Sequence, residues 1–279
     1  MSLRFRDVAP LVLLALLAGS TTAGPARGAA RRELRVCADP NNLPFSNRRG
    51  EGFENRIAEV LADELGAAVS YTWWAQRRGF IRSTLNAGAC DVVMGLPAGY
   101  DLALLTRPYY RSTYVFVARR GTPPIRSFDD PALRRLRIGV QMIGDDYANT
   151  PPAHALARRG IVNNVVGFMV YGDYAEPDPP ARIVEAVAAG TIDVALVWGP
   201  LGGYFAPRQP VAVEVTPVAS AVDGPGLPLT FAIGLGVRKG DRALRDELER
   251  ALSRRHEDVD RILDDYRVPR LPLGAEAAR

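Results

Sequence analysis

The sequence predicts an α/β protein with two similar lobes, each a mostly parallel sheet flanked by helices, joined by two crossings of the chain that form a hinge. Three observations lead to this prediction. Strand and helix patterns alternate along the chain, and the same order returns at a constant offset. Strand-like runs also lie where the chain would pass between the lobes.

The first lobe begins with alternating elements. Apolar and β-branched runs predict strands over residues 34–38, 69–74 and 91–94, and apolar periodicity predicts helices over residues 53–65 and 80–87. The longer helix carries its apolar residues on one face, and Gly66 suits its C-terminal cap. Alternation of strand, helix and strand indicates a parallel sheet covered on both faces.

A second lobe is predicted because the same pattern recurs. Three short motifs return 102 residues later: Leu34-Arg35-Val36 as Leu136-Arg137-Ile138, Ala87-Gly88 as Ala189-Gly190, and Asp91-Val92 as Asp193-Val194. One such echo could arise by chance. A constant offset across a strand, a helix and a second strand indicates two related α/β units.

The chain must cross twice between these units. Residues 114–117 form a strand-like run that leaves the first lobe, and residues 229–237 form one that returns to it. Two later helices, over residues 242–252 and 258–266, should pack back on the first lobe. The predicted boundaries are 31–120 and 227–270 for the two parts of lobe 1, 121–226 for the inserted lobe 2, and 271–279 for a flexible tail.

Residues 1–30 have the pattern of a secretory signal peptide. Arg4 and Arg6 precede an apolar run over residues 8–18, and small residues follow it, with cleavage expected after Ala23 or Ala30. A membrane anchor, the alternative, needs about 20 apolar residues. The sequence therefore predicts a periplasmic protein with no membrane span after maturation.

The composition argues against nucleic acid as a partner. The formal net charge of +4 falls to +2 without residues 1–30, and the basic residues are scattered arginines apart from Lys239. Cys37 and Cys90 are the two cysteines, and a lone pair in an oxidising compartment tends to form a disulfide.

No catalytic, metal or cofactor site is predicted. The two histidines, His154 and His256, fall in predicted helices rather than in loops where a ligand would bind. The sequence contains no metalloprotease helix motif, phosphate-binding loop or dinucleotide-binding glycine pattern. We therefore expect a protein that is not an enzyme.

A cleft between the lobes is the predicted binding site, because ligands of open α/β sheets lie beyond the carboxyl ends of the strands. The candidate contact residues are Asp39, Asn41, Phe45, Trp73, Trp74, Arg77, Tyr100, Gln141, Asp145, Tyr174, Trp198 and Tyr204. Seven of them are aromatic, which suits a small apolar or planar ligand, or a protein segment. Two alternatives stay open: the aromatic residues pack the lobes, and Asp145 is a solvated loop acid.

Several segments give the chain a family resemblance. They are residues 35–45, Gly52-Phe53-Glu54-Asn55, residues 90–95, residues 106–111 and Ile138-Gly139-Val140-Gln141. The order of elements resembles the type II periplasmic binding fold of polar amino-acid transporters, in which lobe 2 is inserted into lobe 1. These segments together resemble the J-type accessory proteins (MxaJ/XoxJ) encoded beside PQQ-dependent methanol dehydrogenases.

The resemblance implies an accessory protein that supports maturation or activity of a PQQ-dependent methanol dehydrogenase, with the cytochrome c of that enzyme as a further possible partner. It also implies that Cys37 and Cys90 lie on neighbouring strands, the first and the third.

Two departures from the amino-acid transporters bear on the ligand. The loop at residues 96–101 lacks the arginine that binds a ligand carboxylate, and Trp198-Gly199-Pro200 stands where a carboxylate would hold the ligand ammonium. A buried zwitterion without charged partners is costly. An amino acid is therefore a poor ligand, and the alternative function is an ABC-transporter substrate-binding protein for a small molecule that is not an amino acid.

Overall fold

Nine strands longer than two residues form most of the sheet in the computed structural model, which describes residues 32–142, 149–169 and 174–273. These strands are β1 (Glu33–Ala38), β2 (Ala68–Trp73), β3 (Val92–Pro97), β4 (Tyr110–Arg119), β5 (Ile138–Met142), β6 (Val165–Met169), β7 (Val194–Trp198), β8 (Val213–Pro217) and β9 (Thr230–Val237). The predicted signal peptide, Asp145 and most of the predicted tail lie outside the described residues.

Seven α-helices are present in the described part of the chain. They are α1 (Phe53–Glu64), α2 (Phe80–Ser83), α3 (Pro151–Arg158), α4 (Arg182–Ala189), α5 (Gly199–Phe205), α6 (Arg242–Arg254) and α7 (His256–Asp265). None of the helices in this part is long and apolar enough to span a membrane.

The strands form one mixed sheet in the order β2-β1-β3-β9-β4-β7-β5-β6, with β8 paired beside β4. β1 is parallel to β2 and β3, and β5 is parallel to β6 and β7. β9 is antiparallel to β3 and β4, and β4 is antiparallel to β7 and β8. Two parallel units are therefore joined through two antiparallel strands.

The strand β4 belongs to both units. Its residues 110–113 pair with β9, while residues 114–118 pair with β7 and residues 115–119 with β8. We call the elements around β1–β3 lobe 1 and those around β5–β7 lobe 2; the residue boundaries given above for the lobes stay predictions. The helices α6 and α7 pack on lobe 1, where Leu248 and Leu263 share a core with Phe53 and Ile57 of α1.

The repeat at an offset of 102 residues is visible as a repeated set of side-chain contacts. Arg35 donates to both carboxylate oxygens of Asp91, at 2.8 and 2.6 Å, and to the Gly88 carbonyl at 3.2 Å. The corresponding residues of lobe 2 make the same contacts: Arg137 to Asp193 at 3.1 and 2.8 Å, and to the Gly190 carbonyl at 2.7 Å. Each arginine thus joins a helix–strand turn to the first strand of its lobe.

The predicted disulfide is confirmed. Cys37 and Cys90 are bonded, with a Cα–Cα distance of 5.5 Å that lies inside the usual range for disulfides. Cys37 is on β1, but Cys90 lies two residues before β3 rather than on it. The bond therefore joins β1 to the turn that precedes its neighbour.

Several predicted boundaries were wrong by a few residues, among them those of α2 and β5. The helix α2 ends at Ser83 instead of residue 87, and the Thr84 hydroxyl donates to the Phe80 carbonyl at 2.7 Å. A hydroxyl that hydrogen-bonds to a backbone carbonyl competes with the hydrogen bonds of the helix, and this favours the end of the helix at that point. The strand β5 begins at Ile138, two residues later than the repeat indicated.

The segment after α7, residues 267–271, contacts both lobes where they meet. The Ser112 hydroxyl on β4 donates to the Pro269 carbonyl at 2.6 Å, and the Leu271 amide donates to the Arg111 carbonyl at 2.8 Å. On the lobe 2 side, α5 approaches so closely that a Cβ atom at Gly203 would lie under 3.0 Å from the Arg267 carbonyl oxygen. Only glycine fits this approach without a backbone shift.

The substitution Gly203→Ala should therefore destabilise the protein by about 2 kcal/mol, since overpacking a tight contact costs roughly 1–3 kcal/mol. Urea unfolding followed by circular dichroism measures the change. Gly240→Ala is the matched control, because a Cβ atom there would meet nothing within 4 Å. Equal losses of stability in both variants would show that the contact of α5 with residue 267 is not tight.

Candidate functional site

A pocket of about 640 Å³ opens between the lobes, beyond the carboxyl ends of β1 and β2. Its lining consists of residues 40–41, 47–49, 73–75 and 77 from lobe 1 and residues 174–178 from lobe 2. Of the residues predicted from the sequence, it brings together Asn41, Trp73, Trp74, Arg77 and Tyr174.

Asp39 organises the wall of this pocket from beneath. Its side chain is 1% exposed and accepts hydrogen bonds from the backbone amides of Asn41, at 2.8 Å, and Gln76, at 2.7 Å. Burial raises the pKa of Asp39, and the two amide hydrogen bonds oppose this effect. The carboxyl group thus fixes the loops after β1 and β2 relative to each other.

Tyr174 brings lobe 2 to the same carboxyl group. Its hydroxyl lies 3.5 Å from the second carboxylate oxygen of Asp39. Burial and the nearby charge of Asp39 raise the pKa of Tyr174 to about 12, so the phenol stays protonated and can donate. Next to it, the Asn41 side-chain amide donates to the Glu176 carbonyl at 2.9 Å.

Aromatic rings cover the lobe 1 side of the pocket. Trp73 stacks on Tyr71 with ring centroids 4.5 Å apart, and the Arg48 guanidinium lies 5.8 Å from the centre of the Trp73 ring. Trp74 is 48% exposed and Tyr174 is 46% exposed. The pocket therefore offers large aromatic surfaces to a ligand or a partner.

One side of the cleft is filled by the protein itself. Leu43, from the loop after β1, is buried in the lobe 2 core together with Ile183, Leu201 and Phe205. A lobe 1 side chain therefore occupies part of the space between the lobes and limits the pocket to the remaining part.

Five other predicted residues lie outside the pocket lining and pack the structure, namely Phe45, Tyr100, Gln141, Trp198 and Tyr204, while Asp145 is not among the described residues. Phe45 contacts Phe53 with ring centroids 5.3 Å apart, and Tyr100 packs against the cluster of Phe80 and Leu85. Trp198 lies between Tyr114 and Phe231, at 5.3 and 5.8 Å, and its amide donates to the Gln141 side chain at 3.2 Å. Tyr204 stacks on Tyr266 with centroids 5.5 Å apart.

Five polar lining residues were not predicted from the sequence: Asn47, Arg48, Arg49, Glu176 and Asp178. The first three reach the pocket because the two-residue strands Asn41–Asn42 and Ser46–Asn47 form a hairpin that folds residues 47–49 back beside β2. The adjacent arginines Arg48 and Arg49 were the one sequence feature that could have indicated this. Neither histidine lines the pocket, and the described residues hold no cluster of three or more metal-binding side chains.

The architecture is that of a two-lobed periplasmic binding protein, with a central mixed sheet and a pocket between the lobes. The chain belongs to the bacterial extracellular solute-binding proteins, family 3, whose model matches residues 34–268. Its curated relatives include the protein MoxJ of Methylorubrum extorquens, 33% identical over 253 residues, which covers 86% of this chain and 82% of that protein. The family resemblance inferred from the sequence is therefore confirmed.

Two solved structures extend the comparison. The periplasmic binding protein XoxJ from Methylobacterium extorquens AM1 is 35% identical, with a TM-score of 0.70 over 86% of this chain and 99% of that one. MxaJ from Methlophaga aminisulfidivorans MPT is 25% identical, with a TM-score of 0.75 over 85% of this chain and 100% of that one. An ancestral cationic amino-acid solute-binding protein, 22% identical with a TM-score of 0.65, shares the fold.

A buried carboxyl group of α1 lies outside the pocket. Glu54 is in the first turn of this helix, and its carboxyl group lies against Gly95 of β3. A Cβ atom at position 95 would collide with the Glu54 carboxyl group. Burial raises the pKa of Glu54 from 4.5 to about 8. The folded protein therefore holds a proton on Glu54 at a pH where the unfolded chain has lost it.

Because the folded-state pKa is the higher one, stability falls as the pH rises from about 4.5 to about 8. Glu54→Gln should remove this loss and stabilise the protein at pH 8 by a few kcal/mol, at about 1.4 kcal/mol per pKa unit, with little effect at pH 4. Urea unfolding at pH 4, 6 and 8 measures it, with the exposed Glu59→Gln on the same helix as the control. A gain of stability that does not change with pH would mean that Glu54 ionises normally.

Proposed function

We propose that this chain is a periplasmic accessory protein that binds a PQQ-dependent methanol dehydrogenase and supports its maturation or activity. The proposal includes no catalytic step by this protein. Its relatives MoxJ, XoxJ and MxaJ carry the names of the J-type proteins that the sequence resembles, and that resemblance implies such a dehydrogenase as the partner. The cytochrome c of the dehydrogenase is a second candidate partner.

The observation that carries the proposal is that side chains of the protein pack the part of the cleft where amino-acid receptors hold their ligand. Trp198 is the last residue of β7 and is packed between Tyr114 and Phe231, and Leu43 fills the lobe 2 side of the cleft. No arginine occurs in residues 96–101, at the end of β3 and in the loop after it. An amino-acid zwitterion would find neither of its usual charged partners there, and burying it unpaired costs several kcal/mol.

The exposed aromatic groups at the mouth of the pocket support a protein partner. Trp74 and Tyr174 stand on opposite lobes and are each about half exposed. Trp and Tyr are the residue types most enriched at interface hot spots, together with Arg, and Arg77 lies in the same lining. A partner that spans the two lobes would bury all three side chains.

A transport receptor for a small molecule is the second candidate. The family match favours it, and a pocket of about 640 Å³ is in the size range of small-ligand sites. The two functions differ in the binding partner and can be separated by the measurements below.

The substitution Trp74→Ala should weaken binding to a purified apo-dehydrogenase by about 30-fold, which corresponds to the roughly 2 kcal/mol of a hot spot. Biolayer interferometry measures the affinity, with Val211→Ala as a control at an exposed apolar residue outside the pocket. Trp198→Ala should instead lower the melting temperature, because that side chain is packed. An unchanged affinity in Trp74→Ala would place the interface elsewhere, and no binding to any form of the dehydrogenase would favour a transport receptor.

Common amino acids should not raise the melting temperature of the purified protein. A ligand at 100 times its dissociation constant adds about 2.7 kcal/mol to the free energy of unfolding, which a thermal melt detects readily. A clear shift with any standard amino acid would mean that other residues replace the missing charged partners, and would favour the transport function.

A further inference from the structure

Two arginines reach the pocket without an ion pair. Among the described residues, neither Arg48 nor Arg77 contacts a carboxylate, although both line the pocket. The other lining charges are largely compensated: Arg49 pairs with Glu51 at 2.6 Å and lies near Asp178, and Glu176 pairs with Arg182 at 3.2 Å. Arg48 and Arg77 therefore leave the pocket with positive charge available to a ligand.

The two arginines line the same pocket from different loops of lobe 1. Arg48 follows the hairpin at residues 41–47, with its guanidinium 5.8 Å from the centre of the Trp73 ring, and Arg77 follows β2. Both act to lower the pKa of the Tyr174 phenol on lobe 2, against the opposite effect of Asp39 beneath the pocket. An anion in the pocket would therefore meet positive charge from two loops.

The same pocket presents flat aromatic surfaces. The indole of Trp73 is held by its stack on Tyr71, and the indole of Trp74 is half exposed beside it. Rings prefer offset-stacked or edge-to-face contacts, which contribute about 0.5–1.5 kcal/mol beyond their area. A planar ligand would use these surfaces, which a compact anion such as phosphate would leave uncovered.

We infer that this pocket binds a planar aromatic carboxylate, with its carboxylate groups between Arg48 and Arg77 and its ring against the indoles. A carboxylate is the group that guanidinium forks bind bidentately. An uncharged apolar ligand would leave both arginines unused, and a cation would be repelled by them. The inference concerns a small ligand and does not depend on the proposed dehydrogenase partner.

Isothermal titration calorimetry of the purified protein at pH 7 and low salt tests this inference, with benzene-1,3,5-tricarboxylate as the probe. The probe should bind and change the tryptophan fluorescence. Citrate has three carboxylates but no ring, and should bind at least about tenfold more weakly. Benzamidine has the ring with a positive charge, and should not bind. Affinity for the probe should fall as salt is added.

Variants of the protein locate the site. Arg48→Gln and Arg77→Gln should each weaken binding of the tricarboxylate about tenfold or more, since each removes charge-assisted hydrogen bonds. Arg82→Gln removes the same charge outside the pocket and should leave the affinity unchanged within about twofold. Neither Arg48 nor Arg77 holds an ion pair with another described residue, so the melting temperatures of the variants should stay close to that of the natural chain.

Four results would overturn the inference: no binding of the tricarboxylate, equal binding of citrate, tighter binding of benzamidine, or an unchanged affinity in both arginine variants. None of these results bears on dehydrogenase binding, which interferometry measures separately. If the protein binds the dehydrogenase but not the tricarboxylate, the proposed function stands and only the inference about the small ligand is wrong.

Discussion

The antiparallel pairing of β4 with β9 is the constraint on which the rest of the structure depends. β4 is one continuous strand of ten residues, and its two ends pair with different partners. Backbone hydrogen bonds between strands fix both spacing and direction. The two lobes therefore share one sheet, and main-chain bonds set how they meet before any side chain contributes.

Side chains then fill the junction that these strands create. Leu43 enters the lobe 2 core, Trp198 packs between the lobes, and Gly203 lets α5 approach the C-terminal segment. Close-packed contacts of this kind tolerate little displacement. What remains open is a pocket at the edge of the junction, lined by the hairpin at residues 41–47, by Trp73 at the end of β2 and by the neighbouring loops.

The charged side chains of the site have different roles according to how deeply they are buried. Asp39 is buried beneath the pocket and is satisfied by two backbone amides, so it holds loops in place. Arg48 and Arg77 lie at the surface of the pocket without carboxylate partners, so they can meet a ligand. Glu54 is buried as well, but burial alone governs its ionisation, which is why its pKa rises so far. The same kinds of charged group thus serve structure or binding according to their burial and partners.

The sequence by itself determined most of the elements and their order, but not β8 or α5. The periodicity of α1, the β-branched run of β2 and the 102-residue repeat predicted the elements around them, because short-range spacing decides which face of a helix or strand is apolar. Asn41, Trp73, Trp74, Arg77 and Tyr174 followed from the rule that ligands lie beyond the carboxyl ends of strands. The tertiary structure alone decided that Phe45, Trp198 and Tyr204 pack while Arg48 and Arg49 line the pocket. Exposure depends on what lies opposite a side chain, and those neighbours belong to other elements: Phe53 for Phe45, Tyr114 and Phe231 for Trp198, and Tyr266 for Tyr204.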